Sequence, residues 1–134
     1  MDPFTPEQIA SLTDEINQQL HELAISEGDA IKRGSGAPRA QRQRQTIEQA
    51  TGQDATTFLA KFRQAVHKDL CEQGGILNGQ WKRMRDLVSK DALHTFGGIL
   101  LGMGLSGTAL QVVAVALVVY VLHLGGEAFC AGGE

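Results

Sequence analysis

The residues that could ligate a metal ion or act as nucleophiles are few and dispersed along this 134-residue chain. The histidines are His21, His67, His94 and His123, and the cysteines are Cys71 and Cys130. His67 and Cys71 are four residues apart and would share a helix face, but two ligands make only half of a zinc site. No CxxC, HExxH or lysine-bearing glycine-rich phosphate loop occurs. We therefore predict no enzymatic activity, no bound metal and no cofactor.

The most distinctive feature of the sequence is a long stretch without formal charge near the C-terminus. Residues 92–126 contain no Asp, Glu, Lys or Arg. Within it, residues 104–124 match the roughly 20 apolar residues that a helix needs to cross a hydrocarbon core of about 30 Å. The alternative is a buried core helix, but we expect the rest of the chain to be too short to wrap a helix that is apolar on every side. We therefore predict a C-terminal transmembrane helix.

The flanks of this stretch predict its orientation. Four bases lie shortly before it, Lys82, Arg83, Arg85 and Lys90, and none follows it. By the positive-inside rule, residues 1–91 would form a cytoplasmic domain and residues 127–134 a short external tail. The predicted location is therefore the inner (plasma) membrane, crossed once. In this topology the two cysteines lie on opposite sides of the membrane and cannot pair within one chain.

Glycines are concentrated where the uncharged stretch begins, in the segment GGILLGMGLSG over residues 97–107. Gly98, Gly102 and Ser106 recur at four-residue spacing, a pattern that favours close helix–helix packing and self-association in membranes. Either one helix runs continuously over 92–125, or a break at 106–108 separates a short interfacial or re-entrant helix from the spanning one. We favour a single span with a glycine-rich approach.

Five further residues are candidates for contacts within or beside the membrane. Gln111 is the strongest polar interruption of the apolar run, and it would make hydrogen bonds between helices or face a water-filled pore. Amphipathic rings commonly anchor membrane segments at the interface with water. On that basis we predict interface anchors at Trp81, His94, Tyr120 and His123.

The first 91 residues have the pattern of amphipathic helices. Thr5 and Pro6 suit the start of a first helix, whose apolar stripe is Ile9, Leu12, Ile16, Leu20 and Leu23. A loop is predicted over 26–39, followed by a polar helix that ends at Gly52. Asp54 can cap a third helix, and the segment after Gly74-Gly75 has helical spacing as well. With no sustained strand alternation, the prediction is an all-α fold with a small cytoplasmic bundle.

Charge is segregated along this bundle. Residues 1–29 carry seven acids and no Lys or Arg, whereas residues 30–68 carry eight bases and two acids. The basic patch is Lys32, Arg33, Arg39, Arg42 and Arg44. It would contact solvent or other parts of the protein, or else acidic lipid, whereas nucleic acid is the least favoured partner because no aromatic rings separate the arginines. The acidic first helix of one copy could also pair with the basic segment of another, which predicts a homo-oligomer.

No family is identified from a motif. In layout the chain resembles small bacterial membrane effectors, such as those of antiviral defence, and in size it resembles single-span phage holins. This resemblance implies an oligomerising, pore-forming protein that perforates or depolarises the inner membrane when its cytoplasmic helices assemble on a signal or partner. The alternative is a tail-anchored adaptor that holds a partner protein at the membrane.

Overall fold

The computed structural model describes residues 4–32, 41–72, 89–124 and 129–130. Within these ranges the chain forms five helices: α1 (Pro6–Lys32), α2 (Gln41–Thr51), α3 (Ala55–Leu70), α4 (Ser89–Gly102) and α5 (Gly107–Leu124). No strand occurs in this described part of the chain. The prediction of an all-α fold is therefore confirmed.

The start of α1 has the geometry that its sequence predicts. The Thr5 hydroxyl accepts a hydrogen bond from the Gln8 amide at 3.1 Å, and the Gln8 side chain accepts one from the Thr5 amide at 2.9 Å. This is a capping box, which satisfies two amides that the first turn leaves without helical partners. Phe4 and Ile9, at the positions of a hydrophobic staple, are both buried. The cap therefore fixes the direction in which α1 enters the bundle.

The predicted loop over 26–39 is wrong for its first part, because α1 continues to Lys32. Most residues of this last stretch, such as Glu27, Ala30 and Lys32, are adequate or good helix formers. A single glycine, Gly28, disfavours a helix by only about 1 kcal/mol, which is too little to end it.

Helices α2 and α3 form a tight corner. Gly52 follows α2 in a left-handed conformation, with a φ of 70°. The Asp54 carboxylate accepts the Thr57 amide at 3.2 Å and so caps α3, as predicted. Glu48 on α2 accepts the Ala55 amide at 3.0 Å. These bonds occupy amides at the start of α3 and fix the angle between the two helices.

Helices α4 and α5 form a hairpin, which we define as residues 89–124. Gly104, with a φ of 98°, ends α4 in a Schellman motif: the Leu105 amide bonds to the Leu100 carbonyl and the Gly104 amide to the Leu101 carbonyl, each at 3.1 Å. The continuous helix over 92–125 is therefore wrong. The alternative with a break is closer, although the break falls between Gly102 and Gly107.

Helix α5 occupies the centre of the bundle. Helices α1, α2 and α4 all pack against it, and residues 113–121 are buried without interruption. The expectation that the rest of the chain could not cover such a helix is therefore wrong. Helices α1 and α4 each contribute an apolar stripe. The polar helix α2 contributes the buried side chains of Ile47 and Gln43. Among the described residues, no helix combines the length and apolar character needed to cross a membrane, so the predicted transmembrane helix lacks support.

Candidate functional site

The hairpin has a covered base and an exposed tip. Its base contains the buried run 113–121 of α5, together with buried Leu93 and Phe96 of α4. We define the hairpin tip as residues 98–112, which include the turn between the two helices.

Every exposed residue of the hairpin tip is uncharged. These residues are Gly98, Leu101, Gly102, Gly104, Ser106, Gly107, Thr108 and Val112. Leu101 is 43% exposed and Val112 is 38% exposed, and they are two of the three large apolar side chains that the described residues expose. The exposed face of a helix in a soluble bundle normally carries charges, as Asp14 and Glu15 do on α1. The exposed surface of the tip therefore has no charged side chain that must be solvated by water.

The small-residue pattern lies on this tip but not on one helix. Gly98 and Gly102 are in α4, whereas Ser106 belongs to the turn. A methyl group placed on Gly98 or Gly102 would meet no atom within 4 Å. These glycines are therefore not required for packing within the chain, and their face is open to a further helix.

The other candidates from the apolar run lie at different depths. Gln111, within the hairpin tip on α5, is partly exposed, and His94 and His123 are partly buried. Tyr120 is completely buried, with its ring edge-on to that of Phe129. The remaining predicted anchor, Trp81, lies outside the described residues.

The described members of the basic patch contact the same chain. Arg42 on α2 pairs with Glu22 on α1, and Arg44 donates to the Thr56 hydroxyl at 2.6 Å. The side chain of Lys32, together with all of Arg33 and Arg39, lies outside the part described.

The contact between acidic α1 and basic α2 thus exists within one copy. Beside the Arg42–Glu22 pair, the side-chain amide of Gln43 donates from Nε2 to the side-chain oxygen Oε1 of Gln19 at 2.9 Å, and Gln43 is 1% exposed. A buried amide requires such a partner, because leaving it without one is costly. The polar contacts therefore set the register of α1 against α2, two of the helices that cover α5.

A disulfide joins the end of α3 to the segment that follows α5. Cys71 and Cys130 are 59 residues apart in sequence, and their Cα atoms are 5.5 Å apart. The expectation that these cysteines cannot pair within one chain is therefore wrong, because it assumed a membrane between them. Closing a loop of this length restricts the unfolded chain and stabilises the fold by about 4 kcal/mol in the chain-entropy description.

Noncovalent contacts hold the same segment against α3. Phe129 is completely buried, and its ring centroid lies 6.3 Å from each of those of Phe62 and Tyr120. Arg63 donates from Nε to the Phe129 carbonyl at 2.9 Å, and its guanidinium lies 5.1 Å from the centre of the Phe129 ring. We call the disulfide and these contacts the C-terminal clasp.

The sequence analysis did not identify the clasp residues Phe129 and Arg63. Phe129 is the only aromatic residue after the apolar run and is adjacent to Cys130, and this position could have marked it as a core residue of the C-terminal segment. Nothing in the sequence distinguishes Arg63, because it is one of several bases on its helix.

Metal binding and similarity to known proteins add no further assignment. Within the described ranges, no group of three or more His, Cys, Asp or Glu side chains is placed to hold a metal ion. Comparisons of the chain with protein-family models, with curated proteins and with solved structures gave no match.

Proposed function

We propose that this protein permeabilises lipid bilayers: its bundle carries an uncharged hairpin that enters a membrane and assembles there with other copies. The single observation that carries the proposal is the hairpin tip, whose exposed residues include no charge. A core helix requires apolar residues only where it is covered. The absence of charge at exposed positions instead favours a surface that meets an apolar medium.

The cost of moving the tip from water into lipid is low. Charged side chains at the centre of a bilayer are strongly unfavourable, and residues 92–126 contain none. Backbone groups in the interior of α4 and α5 are hydrogen-bonded inside each helix, as a hydrocarbon environment requires. At the turn, the amides of Met103, Gly104 and Leu105 bond to carbonyls of α4. Leu101 and Val112 would exchange water for lipid, which is favourable in proportion to the apolar area transferred.

The hairpin supports entry from its tip. Helix α4 has 14 residues and α5 has 18, which correspond to lengths of about 21 and 27 Å at 1.5 Å per residue. Both are shorter than a hydrocarbon core of about 30 Å, which argues against a full crossing by either helix. We propose instead that the paired helices enter the bilayer from the tip as one unit, in place of the single span predicted from the sequence.

Assembly of several copies would convert insertion into permeability. Gly98 and Gly102 are one helical turn apart on an open face, where a helix of a second copy could approach closely. Gln111, in the hairpin tip, would supply a hydrogen bond between copies or line an aqueous path. The partners of the protein are thus membrane lipid and further copies of itself, and the inner membrane with a cytoplasmic N-terminal part remains our predicted location.

A vesicle-leakage assay tests this proposal. The reduced full-length protein is added to vesicles of phosphatidylglycerol and phosphatidylcholine that contain a self-quenched dye. We expect dye release to fall by at least about tenfold in the variants Leu101→Asp and Val112→Asp, because a charge at the tip opposes entry into hydrocarbon.

The matched control is Ile25→Asp. Ile25 is the third large apolar residue that the described part of the chain exposes, at 56%, and it lies on α1, outside the hairpin. This variant should release dye like the unmodified protein. Equal release by tip and control variants would remove the tip from the mechanism. Binding to vesicles without any release would instead favour the adaptor function.

A further inference from the structure

The C-terminal clasp lies where it can restrain the hairpin. Cys71 is the residue at the C-terminal end of α3, and Cys130 follows α5. Both helices of the hairpin, residues 89–124, lie between the two cysteines in sequence. When the disulfide is intact, the segment that follows the hairpin is therefore covalently joined to the C-terminal end of α3.

Release of α5 requires the clasp to open. The buried ring of Phe129 packs against Tyr120 of α5 on one side and Phe62 of α3 on the other. When α5 moves away from α3 and Phe129 stays behind, the Tyr120 and Phe129 rings separate. When Phe129 moves with α5, its contact with Phe62 and the hydrogen bond from Arg63 to its carbonyl are broken. The disulfide holds the Cα atoms of Cys71 and Cys130 5.5 Å apart, so Phe129 stays beside α3. The contact between Phe129 and Tyr120 of α5 therefore re-forms readily, because the effective concentration of the two rings is high.

We infer that the Cys71–Cys130 disulfide is a redox lock, which keeps the hairpin in the bundle when oxidised and allows its release when reduced. This inference deepens the proposed function and rests on it for the membrane step. Both cysteines are partly exposed, so a reductant can reach the bond.

The reductant is a dithiol. One of its thiolates attacks a sulfur of the disulfide and forms a mixed disulfide, which expels the other cysteine as a thiolate that takes up a proton. The second thiol of the reductant then displaces the remaining cysteine. Two electrons pass to the protein, which gains two thiols, and the reductant leaves as a cyclic disulfide. Because the cytosol keeps thiols reduced, the lock would be open at the cytoplasmic location proposed above and closed in an oxidising compartment.

Dithiothreitol serves as the probe in an experiment with two readouts on the full-length chain. The first is dye release from the vesicles described above, and the second is hydrogen exchange of the amides in residues 113–121. We compare oxidised protein, protein reduced with dithiothreitol, and the double variant Cys71→Ser/Cys130→Ser, each checked for helix content. Reduction should accelerate both readouts by at least about tenfold, and the double variant should be fast with or without dithiothreitol.

The two readouts separate failure of the lock from failure of the proposed function. Equal release and equal exchange in oxidised and reduced protein would overturn the lock while leaving permeabilisation intact. Faster exchange on reduction without release in any form would retain the lock as a conformational device and reject permeabilisation. No change in either readout, with no release, would reject both.

Discussion

The ring of Phe62 on α3 lies edge-on against the ring of Phe96 on α4, with 4.9 Å between the ring centroids and 81° between the ring planes. Both side chains are completely buried. Edge-to-face pairs add about 0.5–1.5 kcal/mol to the free energy gained from burial alone. This contact therefore couples α4 to α3 through the same Phe62 ring that Phe129 of the clasp meets.

Truncation of this pair should strongly destabilise the fold. We expect Phe96→Ala to lower the free energy of unfolding by about 3–5 kcal/mol, because it removes a buried ring and leaves a cavity. Leu101→Ala on the same helix is the control and should lower it by less than about 1 kcal/mol, since Leu101 is 43% exposed. Urea denaturation followed by circular dichroism gives both values, and similar losses would contradict the packing of α4.

A charge introduced on α5 should destabilise the fold strongly at one valine and very little at another. Val118 is completely buried and Val112 is 38% exposed. We expect Val118→Asp to lower the free energy of unfolding by about 4 kcal/mol or more, because an unpaired charge is buried, and Val112→Asp to change it by less than about 1 kcal/mol. Thermal unfolding in the absence of lipid makes the comparison. If both substitutions were equally harmful, α5 would not have one covered and one open part.

Two glycines of the hairpin should respond differently to alanine. A methyl group at Gly98 or Gly104 meets no atom within 4 Å, so only the backbone conformation distinguishes them. We expect Gly98→Ala to raise the free energy of unfolding by about 0.5–1 kcal/mol, because it lies inside a helix. Gly104→Ala should lower it by about 1–2 kcal/mol, because the φ of 98° is strained for a residue with a side chain. Denaturant midpoints measure both, and a gain at each position would argue against the Schellman turn.

The capping box should make a measurable contribution to α1. Thr5→Ala removes the hydroxyl that accepts the Gln8 amide, and we expect a loss of about 1 kcal/mol in the free energy of unfolding. Ser11→Ala, at an exposed position within the same helix, should be neutral or stabilising by up to about 0.5 kcal/mol. Calorimetry of the two variants tests the prediction. A loss at Ser11 as large as that at Thr5 would mean that capping is not the cause.

Local chemistry made much of the helical architecture predictable. The cap at Thr5, the cap at Asp54 and the end of α2 before Gly52 depend on neighbours within four residues, and the structure has all three. The apolar spacing in α1 likewise identified residues that form the core, because one face of a helix must be covered. The end of α1 was less predictable, since a single glycine does not decide a helix boundary.

The sequence by itself determined that the chain is helical and that one stretch lacks charge, because propensity, caps and composition are local properties. Only the tertiary structure decided what covers that stretch. Hydropathy does not distinguish lipid from other protein as the apolar partner, and here α1, α2 and α4 pack against α5, whose residues 113–121 are buried. The pairing of Cys71 with Cys130 was also beyond the sequence, because two residues 59 positions apart meet only when α5 folds back and brings the C-terminal segment to α3.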